Sequence, residues 1–167
     1  MPVALRLALI ALSWVAIQLG SGYLVHVMRD ERFARDGRLF RTRSWEQGGR
    51  RYDRLFGIRG WKNRLPEAGA FFSGGFEKGE LSRADPEHLR RFIRETRRAE
   101  LSHWLPLVFS LTFFLWNEPR VAVWMPLFAL VGNAPFIAVQ RHTRPRLERL
   151  LALRGRAPAR RADHPER

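Results

Sequence analysis

LSHWLPLVFSLTFFLWNEPRVAVWMPLFALVGNAPFIAVQ, residues 101–140, contains only three ionisable side chains, His103, Glu118 and Arg120. The polar tetrad Asn117-Glu118-Pro119-Arg120 divides it into two apolar limbs, Leu101–Trp116 and Val121–Val139. Two apolar limbs with so short a polar joint predict an antiparallel helical hairpin. The second limb is close to the roughly 20 residues that a bilayer-spanning helix needs.

A third apolar block lies upstream. LALIALSWVAIQLGSGYLVHVM, Leu7 to Met28, also reaches spanning length. A cleaved signal peptide is the alternative reading, with Gly20-Ser21-Gly22 as the cleavage site. Against it, Arg6 is the one basic residue before the run, and the run exceeds a usual h-region of about 7–15 residues. The average composition, 46% hydrophobic with a mean hydropathy of -0.30, conceals this segregation. The fold expected is an all-α integral membrane protein with three transmembrane helices and a basic segment of short amphipathic helices. Its divisions are a first transmembrane helix over 1–28, an interfacial segment over 29–84, and a long helix entering the membrane over 85–116. An outer turn over 117–120, a third transmembrane helix over 121–140 and a basic tail over 141–167 complete it.

The net charge of +14 lies between and after the apolar blocks. Residues 29–100 hold 19 Lys and Arg against 12 Asp and Glu, and residues 140–167 hold 9 against 3. Arginine next to membrane ends marks the cytoplasmic side. Both basic segments are therefore expected in the cytoplasm of a multi-pass cell-membrane protein, with the N-terminus and the 117–120 turn outside. No helix-turn-helix, zinc-finger or RNA-binding signature accompanies the charge, so membrane lipids are the expected partner and nucleic acid is not. Without cysteine there are no disulfides, thiol nucleophiles or thiolate metal ligands.

Between the first two blocks, arginines alternate with Phe33, Phe40, Trp45, Tyr52, Phe56 and Trp61, a mixture suited to a headgroup layer. FFSGGFEKGE (71–80) reads as a loop. Asp85-Pro86-Glu87 reads as a helix start, with Asp85 as cap and Pro86 at the first position. Pro106 and Asn133-Ala134-Pro135 are expected kinks, and the Pro/Ala-rich tail from Gly155 is expected to be disordered. Trp14 and Gln18 share one face of the first block, where Gln18 is expected to face the other helices.

On a helix, Thr96, Glu100 and His103 fall within one arc, with Glu95 at its edge. Glu100 and His103, spaced i, i+3, allow the carboxylate to reach a ring nitrogen and fix the tautomer, as a general base requires. An interfacial histidine paired with an acid for solubility has the same spacing. A metal site is not expected, because further acids or histidines at that depth are few. Asn133, Ile137, Gln140 and Arg144 line a second stripe, and a polar residue at the depth of Asn133 is either a site residue or an interhelical hydrogen bond. Arg141, Arg144 and Arg146 crowd the exit, where they suit phosphate recognition or headgroup anchoring.

ETRRAELSHW (95–104) and NAPFIAVQRHTRPRL (133–147) resemble the two signature stretches of the glycosyl-4,4'-diaponeurosporenoate acyltransferase family. The matching positions are Glu95, Thr96, Arg98, Ala99, Glu100, His103 and Trp104, then Asn133, Pro135, Gln140, Arg141, Arg144, Pro145 and Arg146. His142 and Thr143 depart where the family has Tyr-Asn. The resemblance covers about Trp14 to Leu147. It implies a membrane enzyme moving a fatty acyl group from a thioester donor to a sugar hydroxyl of a glycosylated carotenoid acid, or of a similar glycosylated terpenoid or glycolipid acceptor. The implied donor is acyl-CoA, a co-substrate rather than a bound cofactor. In that reading His103 deprotonates the hydroxyl, Glu100 orients it, and Asn133 or Gln140 donates to the oxyanion. Arg141, Arg144 and Arg146 hold donor phosphates, Glu95 pairs with Arg98, and Trp104 and Trp61 floor a sugar site. A non-catalytic lipid- or carotenoid-binding scaffold is the competing class.

Overall fold

The computed structural model describes residues 2–61 and 85–162, with side chains to Arg154. The loop expected at 71–80 lies outside the described residues. Among the described residues seven α-helices follow in order: α1 (Val3–His26), α2 (Glu31–Ala34), α3 (Arg50–Phe56), α4 (Ile58–Trp61), α5 (Pro86–Phe109), α6 (Pro119–Ala122) and α7 (Trp124–Ala162). Two 3₁₀ segments, Ser44–Gly49 and Ser110–Leu115, precede α3 and follow α5. Among the described residues there is no strand.

Three long helices lie side by side. α5 packs against α7 along most of its length, and α1 packs on α5. Arg6 near the start of α1 pairs with Glu118 at 3.7 Å, so that end lies beside the turn following α5. At the other end of α1, the carbonyl of Met28 accepts a hydrogen bond from Arg98 of α5 at 3.4 Å. The chain thus runs down α1, back up α5 and down α7. The short helices α2, α3 and α4 gather at the basic end, and α6 lies at the opposite turn.

α1 is apolar all round, and Val3, Leu5, Leu7, Leu12, Val15 and Leu19 are exposed. A helix apolar on every face belongs in a large core or in lipid, and this one is not covered by protein. Gln18 is exposed too, so it does not face the other helices as expected. Instead Trp14 joins α1 to the hairpin, its ring 5.2 Å from Phe113 and 5.0 Å from Phe128.

Two helical segments, Val3–His26 and Pro119–Arg154, are long and apolar enough to cross a membrane, rather than the three expected. The limb 101–116 forms the end of the otherwise charged helix α5 and a 3₁₀ segment. At about 1.5 Å per residue for the α-helical part and about 2.0 Å for the 3₁₀ part, it covers about 26 Å, short of a hydrocarbon core of roughly 30 Å.

α5 begins where Asp85 accepts hydrogen bonds from the backbone N–H groups of Glu87 and His88, and Pro86 takes the first position. The N–H groups of His88 and Glu87 hold the Asp85 carboxyl below its usual range. Leu89 and Ile93 bury against Leu147 of α7, fixing how far the two helices overlap. α7 continues through Pro135 and Pro145 to Ala162, so its helical backbone extends past Gly155, where disorder was expected.

A close backbone approach brings the 3₁₀ segment before α3 against α7. Gly49 has φ +86°, and a Cβ there would meet the His142 carbonyl oxygen at 2.7 Å. The Gly49 carbonyl accepts from Nδ1 of His142 at 3.1 Å. A side chain would need a left-handed backbone and would press on main chain that cannot yield. Gly49→Ala is therefore expected to destabilise by about 1–3 kcal/mol, read as a lower Tm in detergent.

Candidate active site

The α5 arc and the α7 stripe face each other, but their side chains pair differently from the sequence expectation. Glu100 is fully buried, at 0% exposed. Its Oε1 accepts from Arg141 Nε at 2.8 Å and from Trp104 Nε1 at 3.2 Å, and its Oε2 accepts from Arg144 Nη2. Glu100 therefore does not orient His103. Two guanidiniums arriving from α7 attract the carboxylate more strongly than a neutral ring one turn away on its own helix.

Glu46, from the 3₁₀ segment, completes the cluster. Also 0% exposed, it accepts from Arg141 Nη1. Arg141 Nη2 donates to the Leu39 carbonyl. Arg144 donates to the Phe40 carbonyl at 2.8 Å and to Thr96 Oγ1 at 3.3 Å. Two buried arginines and two buried glutamates thus neutralise one another and tie residues 39–46 to α7. Arg141 and Arg144 are committed inside the protein, which removes them as holders of donor phosphates. Tyr52 packs beside this cluster, its hydroxyl pushed up by burial and by Glu46.

A second set of ion pairs organises the basic half of α5. Glu95 pairs with Arg98 at 2.8 Å, and Arg98 also reaches Asp30. Buried Arg97 donates to the Phe33 carbonyl at 2.8 Å and pairs with Asp36 and Glu148. Glu95 is thereby part of the scaffold around the arc.

His103 takes a different partner. Its Nδ1 lies 2.9 Å from Oδ1 of Asn133 on α7. Asn133 is buried, and its Nδ2 donates to the Ala129 carbonyl at 2.8 Å. That bond settles the amide orientation, since a carbonyl can only accept. Oδ1 therefore faces the imidazole, and Nδ1 must carry the proton. Nε2 keeps its lone pair. Phe136 stacks on the ring, with centroids 4.6 Å apart and planes 13° apart, holding its plane. The outcome is a half-buried histidine of fixed tautomer. Asn133, expected as an oxyanion donor, instead positions the ring.

The remaining expected residues are dispersed. Gln140 is half-buried on α7, on the stripe that includes Asn133. Trp104 is half-buried and bonded to Glu100. Trp61 donates to the Phe56 carbonyl at 2.6 Å and joins the Tyr52, Ile58 and Ala138 cluster. Half-buried Arg146 is close enough to Asp53 of α3 and Arg59 of α4 for their charges to act on it. Among the described residues, no three His, Asp or Glu side chains stand together as a metal-ligand group. Sequence reasoning missed Glu46 and Phe136. Glu46 sits in SWEQGG, where a glycine pair is the one available signal of a close approach, and it names no partner.

Comparison with known proteins bears on this geometry. The sequence pattern of the family described as glycosyl-4,4'-diaponeurosporenoate acyltransferase matches residues 36–153, which include His103, Asn133 and the whole buried cluster. The chain is similar to proteins of that name from Staphylococcus aureus. It is 30% identical over 142 residues to the one from strain MRSA252 and 29% to the one from strain USA300, with 84% of each chain covered. No solved structure matches. With most of the chain and both helices of the site inside the match, this chain belongs to the glycosyl-4,4'-diaponeurosporenoate acyltransferase family.

Proposed function

We propose that the protein is an integral membrane O-acyltransferase that moves a fatty acyl group from acyl-CoA to a sugar hydroxyl of a glycosylated carotenoid acid or a closely similar glycolipid. The observation that supports it is the Nδ1-protonated His103, fixed by Asn133 and stacked on Phe136, with Nε2 left as a base. Nε2 takes the proton of the sugar hydroxyl as its oxygen attacks the thioester carbonyl. The tetrahedral intermediate then collapses, the C–S bond breaks, and the imidazolium returns the proton to the departing thiolate. Oxygen ester and free thiol are the products. Gln140, on the same α7 stripe, offers an amide to the sugar or to the developing oxyanion.

The exposed apolar surface of α1 and of the hairpin, where Leu111, Phe114, Leu115, Trp124 and Phe128 are uncovered, supports the membrane setting. In this reading α1 and α7 cross the bilayer, and the apolar end of α5 descends between them. The arginine-rich end lies in the cytoplasm, where acyl-CoA is available, and the N-terminus lies outside. His103, near the boundary between the charged and apolar halves of α5, stands where a soluble donor meets a membrane acceptor.

The purified full chain, reconstituted in vesicles with acyl-CoA and a glycosylated carotenoid acid, tests this. Mass spectrometry is expected to find the acylated glycoside and stoichiometric free CoA. Acceptor retained by the protein with no ester formed would make it a lipid-binding scaffold instead.

A further inference from the structure

Arginines outside the buried cluster collect on the side of α7 turned away from His103. Arg146 lies thirteen residues beyond Asn133, which places it roughly 140° around the helix from that residue. Arg149, one turn further, fills with its guanidinium the space that a side chain on Gly48 would need. Arg59 of α4 pairs with Asp53 of α3 at 2.9 Å, and Asp53 also accepts from the Arg59 backbone N–H at 3.0 Å. Asp53, Arg59 and Arg149 are all close enough to act on Arg146 electrostatically. That backbone N–H, with the Arg59 and Arg146 guanidiniums, keeps the Asp53 carboxyl below its usual range and therefore charged.

Among the described residues, Arg59 and Arg146 accordingly share one carboxylate, and Arg149 adds a third positive charge close to Arg146. Among the described residues, neither Arg146 nor Arg149 has a carboxylate within ion-pair distance. On α3, two and three residues past Asp53, Leu55 and Phe56 are 63% and 56% exposed. An excess of guanidiniums over carboxylates among the described residues, with exposed apolar side chains on the same short helix as Asp53, matches a headgroup boundary, with phosphate above and acyl chain below. The depth agrees. Arg146 is seven residues past Val139, about 10 Å along the helix, so it clears the hydrocarbon when the apolar run fills it.

We propose that Arg59, Arg146 and Arg149 form a binding site for the phosphate of an anionic phospholipid, seating the α3 side of the protein at the membrane surface. The inference rests on the membrane placement above but not on the acyl-transfer chemistry. Its occupant would sit across α7 from His103, separate from the reacting groups.

The test is native mass spectrometry of the detergent-solubilised full chain titrated with phosphatidylglycerol or phosphatidylcholine. Wild-type protein is expected to retain phosphatidylglycerol preferentially, and Arg146→Gln/Arg149→Gln is expected to lose that preference at least tenfold. The single variant Arg149→Gln, altered at an exposed side chain, replaces the double variant if the latter does not fold, with a smaller loss expected in the same direction. A variant that keeps the preference overturns the proposal. If the preference is kept while the KM for acyl-CoA rises tenfold, the arginines serve the donor's phosphates instead. Lipid retention is read without turnover, so a chain that binds phosphatidylglycerol but transfers no acyl group refutes only the proposed function.

Discussion

Glu100→Gln is expected to cost about 3–5 kcal/mol of stability, because it leaves the buried arginines with one carboxylate between them. Glutamine keeps the shape and retains an oxygen for Trp104 or Arg141, so no cavity forms. What it removes is the charge that Arg141 and Arg144 both require, in a site that is 0% exposed at Glu100 and 1% at Arg144. Domains are commonly stable by only about 5–15 kcal/mol, so a loss of this size removes much of the folded population. Fluorescence-detected size exclusion and the detergent Tm read it directly. Were Glu100 instead the partner of His103, the same substitution would leave folded yield intact and slow turnover. The two outcomes are distinct.

The site was half legible in the sequence, and the reason is geometric. Helical spacing placed Thr96, Glu100 and His103 on one arc and Asn133, Ile137, Gln140 and Arg144 on one stripe, and those two faces do meet. Spacing within a helix cannot determine which member of one face opposes which member of the other. That depends on the axial overlap of α5 and α7, set by Leu89 and Ile93 against Leu147 far from the site. The i, i+3 neighbour of His103 was thus a plausible partner until arginines from α7 took it. Glu46 was harder still, since its partner Arg141 lies 95 residues away along the chain, a separation that no periodicity reports. The Glu95–Arg98 pair, contained within one helical turn, was readable without tertiary information.

The apolar blocks were equally readable, but their number as spans was not. Leu101–Trp116 resembles a membrane helix in composition, yet it is joined to a charged helix and ends in a 3₁₀ segment. Ser110 and Thr112 turn their hydroxyls back to the carbonyls of Leu107 and Phe109, at 2.6 and 2.7 Å, which satisfies polar groups in an apolar stretch. Asn117 then donates to the Phe113 carbonyl at 3.2 Å and closes the segment.

His103→Gln is expected to lower acyl transfer by about 10²–10⁴-fold, the usual contribution of a positioned general base. Glutamine can still donate an N–H toward Asn133 Oδ1, but it has no nitrogen able to take a proton at neutral pH. The residue lies outside the Glu46, Glu100, Arg141 and Arg144 cluster, so folded yield and Tm should stay near wild type. That separation makes the experiment decisive, because an activity loss cannot be ascribed to unfolding. The measurement is the initial rate of acyl transfer from acyl-CoA to a glycosylated carotenoid acid in vesicles, at equal amounts of folded wild-type and His103→Gln protein. A rate at least a hundredfold lower with an unchanged Tm is the predicted result; an undiminished rate would contradict His103 as the base.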